Sequence, residues 1–156
     1  MSLALGKKLL LKKDYKDAEK IFLELNKNNN SLELNYSLGM VNFELRDLKK
    51  SLRFFKKCIK IDQKSINSYL KIAFLEQSRG ELKNALSNYL KAISINKTDI
   101  RAYYGIYTLD PKLLTTIHYK QIVNINETPK LNKLAKSLSE FLLSKREKQE
   151  KNFDKE

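Results

Sequence analysis

From Ile66 to Asp99 the apolar positions recur at spacings of three and four. Tyr69, Ile72 and Ala73 share one face, because residues three and four apart are neighbours on a helix. Arg79-Gly80-Glu81 breaks the run, Gly being costly inside a helix and cheap in a turn. A second run follows in Leu82, Ala85, Leu86, Tyr89, Ala92 and Ile93. The pattern predicts two antiparallel helices joined by a short turn. The polar stretch Asn96 to Asp99 ends the second.

The same pattern lies 34 residues earlier. Leu38-Gly39 falls where Ile72-Ala73 falls, and Ser51, Phe55 and Cys58 fall where Ala85, Tyr89 and Ala92 fall. Leu5-Gly6, Tyr15, Ala18, Phe22 and Leu25 form a third copy, offset by 33 because its closing loop is one residue shorter. A fourth copy starts at Ile100 with Tyr103 and Ile106. A period of this length, with small residues where helices must approach closely, signals a helical repeat array.

These positions resemble the tetratricopeptide repeat family, whose pattern runs aromatic, Leu-Gly, Ala-x-x-x-Phe, Ala, Pro. The matches are Leu5-Gly6, Leu38-Gly39, Ala18-x-x-x-Phe22, Ala85-x-x-x-Tyr89 and Ala92. Tyr69 and Tyr103 replace the aromatic, Asn35 misses it, and the unit ends carry Asn30, Gln63 and Lys97 instead of Pro. The resemblance covers Leu3 to Leu109. It implies an all-α fold, an α-α superhelix of antiparallel helix pairs, closed by a C-terminal capping helix.

In chain order the repeats occupy about 1–30, 31–65 and 66–99, with a degenerate fourth starting at 100. The first two helices are expected at Ser2 to Lys12 and Tyr15 to Asn26, and the next two at Leu32 to Leu45 and Leu48 to Ile61. The seventh runs from Ile100 to Leu109. Residues 110–144 are expected to hold divergent helices. Asp110-Pro111 opens one helix to about Ile125, since Pro suits the first helical position. Thr128-Pro129 opens another to Ser144, with Leu131, Leu134, Ala135, Leu138, Phe141 and Leu142 on its apolar face. Residues 145–156 are expected to form a charged, frayed and solvated helical tail with no sustained apolar face.

The 156 residues suit one domain, stabilised by contacts between neighbouring units. Net charge is +13, and 26 of the 31 basic residues are Lys. Specific recognition of phosphates or base edges leans on Arg, so much of this charge reads as a solvated surface. Cys58 is the only cysteine and occupies a small-residue packing position, so the redox compartment stays open, with a cytoplasmic one favoured. No apolar run is long enough for a membrane span. Lys7-Lys8 and Leu9-Leu10-Leu11 fit the first helix rather than a signal peptide.

No catalytic constellation stands out, and an enzyme is not expected. His118 is the only histidine, which excludes two-histidine metal sites and relays. Neither GxxxxGK[ST] nor GxGxxG occurs, so the common nucleotide loops are missing. No cofactor is expected.

The resemblance implies a partner on the face formed by the first helices of the units. Helical spacing then names Tyr36, Met40 and Phe43 on the third helix, Leu70 and Phe74 on the fifth, and Tyr104 on the seventh. Leu3, Lys7 and Leu10 are their counterparts on the first. All lie off the stripe of Leu38-Gly39 and Ile72-Ala73, making an apolar groove with Glu33, Glu44, Lys71 and Arg101 at its edge. Such a patch suits a helix or extended peptide of a protein partner, or a second copy of the chain. Some family members clamp a C-terminal carboxylate; Asn67 and Lys71 fit that set, but Leu3, Tyr36 and Ser37 do not. The alternative is a basic module that contacts nucleic acid or another anionic surface through its outer face. Lys49, Lys50, Arg53, Lys56, Lys57 and Lys60 crowd the fourth helix there with no acid between them.

Overall fold

The computed structural model describes residues 2–153. They form nine α-helices and one short 3-10 turn, with no strand among the described residues. The chain divides into two compact units, Met1–Leu75 and Glu76–Glu156.

The first unit holds α1 (Leu3–Leu11), α2 (Tyr15–Asn28), α3 (Leu32–Glu44), α4 (Leu48–Ile61) and most of α5 (Ile66–Ser78). Side-chain oxygens open three of them. Ser2 accepts from the Leu5 N–H, Ser31 from Leu34 and Asp47 from Lys50, each satisfying a donor the helix cannot. Consecutive helices pack pairwise, α1 on α2 and α3 on α4, with α2 also against α3. Glycine decides how closely they approach. A Cβ on Gly6 would sit 2.4 Å from the Phe22 ring, and one on Gly39 2.6 Å from Phe55. Only hydrogen fits, so each ring of the second helix lies directly against the backbone of the first. Ser51 Oγ donates to the Gly39 carbonyl at 2.8 Å, giving that packing position a polar tie. Ala18, Phe22, Leu34, Leu38, Val41 and Phe54 form one buried cluster, and Leu52, Phe55, Ile72 and Leu75 another. Cys58 is fully buried, as its small-residue position requires.

The turns between paired helices share one geometry. Lys13 (φ 67°), Arg46 (φ 63°) and Gly80 (φ 77°) are all left-handed. The N–H of each bonds three residues back, to Leu10, Phe43 and Gln77. The next N–H bonds five residues back, from Asp14 to Leu9, Asp47 to Asn42 and Glu81 to Glu76. This double closure satisfies the last carbonyls of the helix. Two of the three turns place a Cβ-bearing residue where only glycine is unstrained.

The second unit holds the last turn of α5, then α6 (Leu82–Ile95), α7 (Ile100–Leu109), α8 (Thr116–Asn126) and α9 (Lys133–Phe153). Asn88 Nδ2 donates to Glu76 at 2.8 Å and Tyr89 Oη to Gln77 at 3.1 Å, holding α6 to that last turn. Here the ring-on-glycine contact moves. A Cβ on Gly105 of α7 would sit 2.2 Å from Tyr89 Cε1, so the α6 ring rests on the following helix.

Two expectations for the C-terminal part need correction. The helix read from Pro111 to Ile125 is broken. Pro111–Leu113 is a 3-10 turn and Leu114 is extended and buried. Thr115 then caps α8: its hydroxyl accepts from the His118 N–H, and its own N–H donates to His118 Nδ1. Paired β-branched Thr115-Thr116 favours this restart over a continuous helix. The last helix starts at Lys133, where Asn132 accepts from the Ala135 N–H, and not at Pro129. It also runs past Ser144 to Phe153, so the charged segment is helical as far as it is described; residues 154–156 lie outside. Ala135, Ser139 and Leu142 bury its inner face, while Leu134 is 60% exposed and so does not belong there. Helix α9 packs on α7 and α8. Ser139 Oγ and Lys136 Nζ both reach Asn126 at the end of α8.

Candidate partner-binding surfaces

In the first unit α3 and α5 bring several named residues together. Phe43 and Phe74 meet edge to face with centroids 5.9 Å apart. Lys71 Nζ stands 5.6 Å from the Phe43 centroid, within cation–π range. Phe74 is 47% exposed, a large apolar area left in water. Tyr36, Met40 and Phe43 are half-buried, as are Leu70 and Lys71. The first three pack against the cluster of Leu52, Phe55, Ile72 and Leu75, and Tyr36 meets Phe55 at 5.3 Å. They therefore support the core as well as lining a surface, although they lie off the stripe that faces the paired helix. Lys7 and Glu33 pair across α1 and α3.

In the second unit Tyr104 is 37% exposed. Its ring lies 5.9 Å from Phe141 of α9, and Tyr107 lies 5.6 Å from the same ring. Lys145 Nζ stands 5.3 Å from the Phe141 centroid. Each unit thus carries an edge-to-face aromatic pair with a lysine over one ring. Phe141 and Lys145 were missed from sequence as surface residues, because the apolar spacing of α9 put Phe141 on its packing face. Arg101 is held beside its own helix cap, Nε donating to Asp99 at 2.8 Å.

The outer residues of α4 lie in the first unit. Lys49, Lys50, Arg53, Lys56 and Lys60 are exposed and Lys57 is half-buried. Lys50 does have acids near it, Glu19 at 3.5 Å and Asp47 at 3.8 Å. Arg53 and Lys57 stand 5.5 and 5.3 Å from the centroid of buried Phe54.

Burial sets the chemistry of the remaining titratable groups. It pushes the Tyr89 phenol up to about 12, raises Tyr103 and raises the Cys58 thiol. It lowers His118, whose Nδ1 accepts the Thr115 N–H and whose ring meets Tyr103 at 5.7 Å. Among the described residues there is no group of three or more His, Cys, Asp or Glu that could hold a metal, and no helix long and apolar enough to cross a membrane.

Comparison with known proteins places these helices in a family. The tetratricopeptide repeat profile matches residues 32–65 and 66–99. The crystal structure of MamA is 25% identical over 96% of this chain and 78% of its own, with a TM-score of 0.63. A second structure of MamA protein gives a TM-score of 0.64 at 25% identity, over 96% of this chain and 73% of that one. YrrB, a TPR protein with an unusual peptide-binding site, is 18% identical over 86% of this chain and 71% of its own, with a TM-score of 0.65. No curated protein matches in sequence. Residues 32–65 and 66–99 are tetratricopeptide repeats.

Proposed function

We propose that this chain is a non-catalytic scaffold whose aromatic surfaces receive the apolar side chains of a protein partner's helix or extended peptide. Repeats of this family support the coarser reading, a protein–protein interaction scaffold. The observation that carries the finer one is exposed Phe74 set edge to face on half-buried Phe43, with Lys71 over the Phe43 ring. Large aromatic side chains left in water cost free energy that a partner's apolar surface recovers. Rigid rings also lose little entropy when a partner settles on them, which makes them frequent binding hot spots. Met40 and Leu70 widen the apolar area, and Met adapts its shape readily. On the second unit Tyr104, with Phe141 beside it, offers a like surface with Arg101 on the same helix. YrrB, similar in fold, is described as having a peptide-binding site, which is consistent with this reading.

The test compares partners retained by the wild type with those retained by Phe74→Ala and Tyr104→Ala. Both residues are exposed, so their loss leaves the fold nearly unchanged. A genuine partner should bind roughly tenfold or more weakly to Phe74→Ala, the usual effect of removing a hot-spot aromatic. It should also survive high salt. A partner retained by both variants as strongly as by the wild type would sink the proposal.

A further inference from the structure

We propose that the outward stripe of α4 binds the phosphate backbone of duplex nucleic acid, as a site separate from the aromatic surfaces. Lys49, Arg53, Lys56 and Lys60 follow one another at intervals of four, three and four residues, so they share one helical face. All four are exposed. The helix itself, LKKSLRFFKKCIKI, contains no acid. Lys50, beside the stripe, engages Glu19 and Asp47. On α2, Lys20 is answered by Asp17 at 3.1 Å and Lys27 by Glu24 at 2.7 Å, whereas Lys16 is also exposed. α4 thus presents four exposed cations on one face of a helix that has no acid of its own.

The form of the stripe selects the ligand. Eleven residues of rise make a row about 16 Å long. One strand of a duplex carries a charge about every 3.4 Å along its axis, so the row spans roughly five phosphates. Four cations in line suit a linear polyanion. A bilayer surface would call for an apolar face to enter the interface, and no stripe position is apolar. Single strands are held largely by stacking on aromatic rings. The nearest ring, Phe54, is 3% exposed beneath Arg53 and Lys57 and cannot serve. One arginine among four cations gives little base-edge reading, so binding is independent of sequence.

The experiment measures the affinity for a random-sequence DNA duplex by fluorescence anisotropy over a series of salt concentrations. Four phosphate contacts predict a slope of log K against log salt of about −3.6, and a single strand about −2.8. Lys56→Gln with Lys60→Gln should halve the duplex slope to about −1.8, since two contacts are lost. Lys83→Gln with Lys91→Gln, exposed on α6, removes the same charge elsewhere and should leave the slope unchanged. Circular dichroism melts check that all variants remain folded. Equal effects from the two pairs would show diffuse charge and overturn the site. So would tighter binding to phosphatidylserine vesicles than to the duplex, or no duplex binding at low salt.

Discussion

The two units seat an aromatic ring on a glycine in different ways. In the first unit the contact stays within a helix pair: Phe22 on Gly6, then Phe55 on Gly39. In the second, Tyr89 of α6 rests on Gly105 of the next helix, α7. Gly105 does not continue the Leu-Gly position of the earlier copies, where Ala73 already stands. A ring of Phe or Tyr still needs backbone-level clearance, and glycine supplies it wherever the ring arrives. The invariant is the ring against bare backbone, and the repeat register is only the usual way of arranging it. Extending Phe to Tyr also adds a hydroxyl, which Gln77 accepts.

The largest break in the second unit should come from its capping helix. Leu142 is fully buried, so Leu142→Ala should cost about 2–5 kcal/mol. Leu134→Ala, on the same helix but exposed, should stay within about 0.5 kcal/mol. Chemical denaturation of both variants tests the assignment, and equal losses would contradict the observed face of α9.

Next in size is Gly105→Ala. Alanine in a helix interior gains up to about 1 kcal/mol over glycine. Against that, the new methyl would lie 2.2 Å from a buried ring atom, and overpacking costs about 1–3 kcal/mol. The clash should win, with a net loss of about 1–2 kcal/mol. Pairing Gly105→Ala with Tyr89→Leu should recover part of it. A double-mutant cycle with no coupling would remove the ring contact from the account.

The shared turns allow a smaller, signed test. Arg46→Gly relieves a left-handed Cβ and should stabilise by about 1 kcal/mol. Gly80→Ala should destabilise by a similar amount for backbone reasons alone, since nothing lies within 4 Å of its missing Cβ. Opposite signs in the two melting temperatures are the expected outcome.

At neutral pH the smallest effect is ionisation, which nonetheless separates the two ring types. The folded state holds the Tyr89 phenol at about 12, above its ordinary 10, because burial disfavours the phenolate. Folding therefore retains the proton that the unfolded chain loses first. This stability is fully present below pH 10 and drains away between about 10 and 12. Tyr103, raised for the same reason, acts in the same direction. Phe22 and Phe55 have no proton to lose. Tyr89→Phe should accordingly flatten the alkaline fall in stability, read as melting temperature against pH.

Much of the helical array was legible in sequence because each helix pair repeats a small residue opposite a ring. Bounds such as Leu48–Ile61 and Ile100–Leu109 follow directly from that spacing. The stretch after Leu109 was less legible. Pro111 signals a helix start but cannot reveal that only a 3-10 turn forms before Thr115 and His118 begin another. The apolar spacing of α9 is wider than the face it buries, so Leu134 and Phe141 looked inward. Surface residues were harder still. Tyr36, Met40 and Phe43 lie off the stripe that faces the paired helix, yet they pack on the cluster that includes Ile72 and Leu75. Spacing on one helix shows a face, but not how many neighbours use it.

The buried position of Cys58 has a practical consequence. Its thiol has no solvent exposure, burial disfavours the thiolate, and Sγ lies 3.7 Å from the Leu32 carbonyl. A modifying reagent must wait until α4 parts from the helices that cover the thiol. With no other cysteine in the chain, every labelling event then counts one local opening around Cys58. The native protein carries its own clock for local unfolding. When reclosing outpaces reaction, its rate gives the opening free energy without any introduced probe.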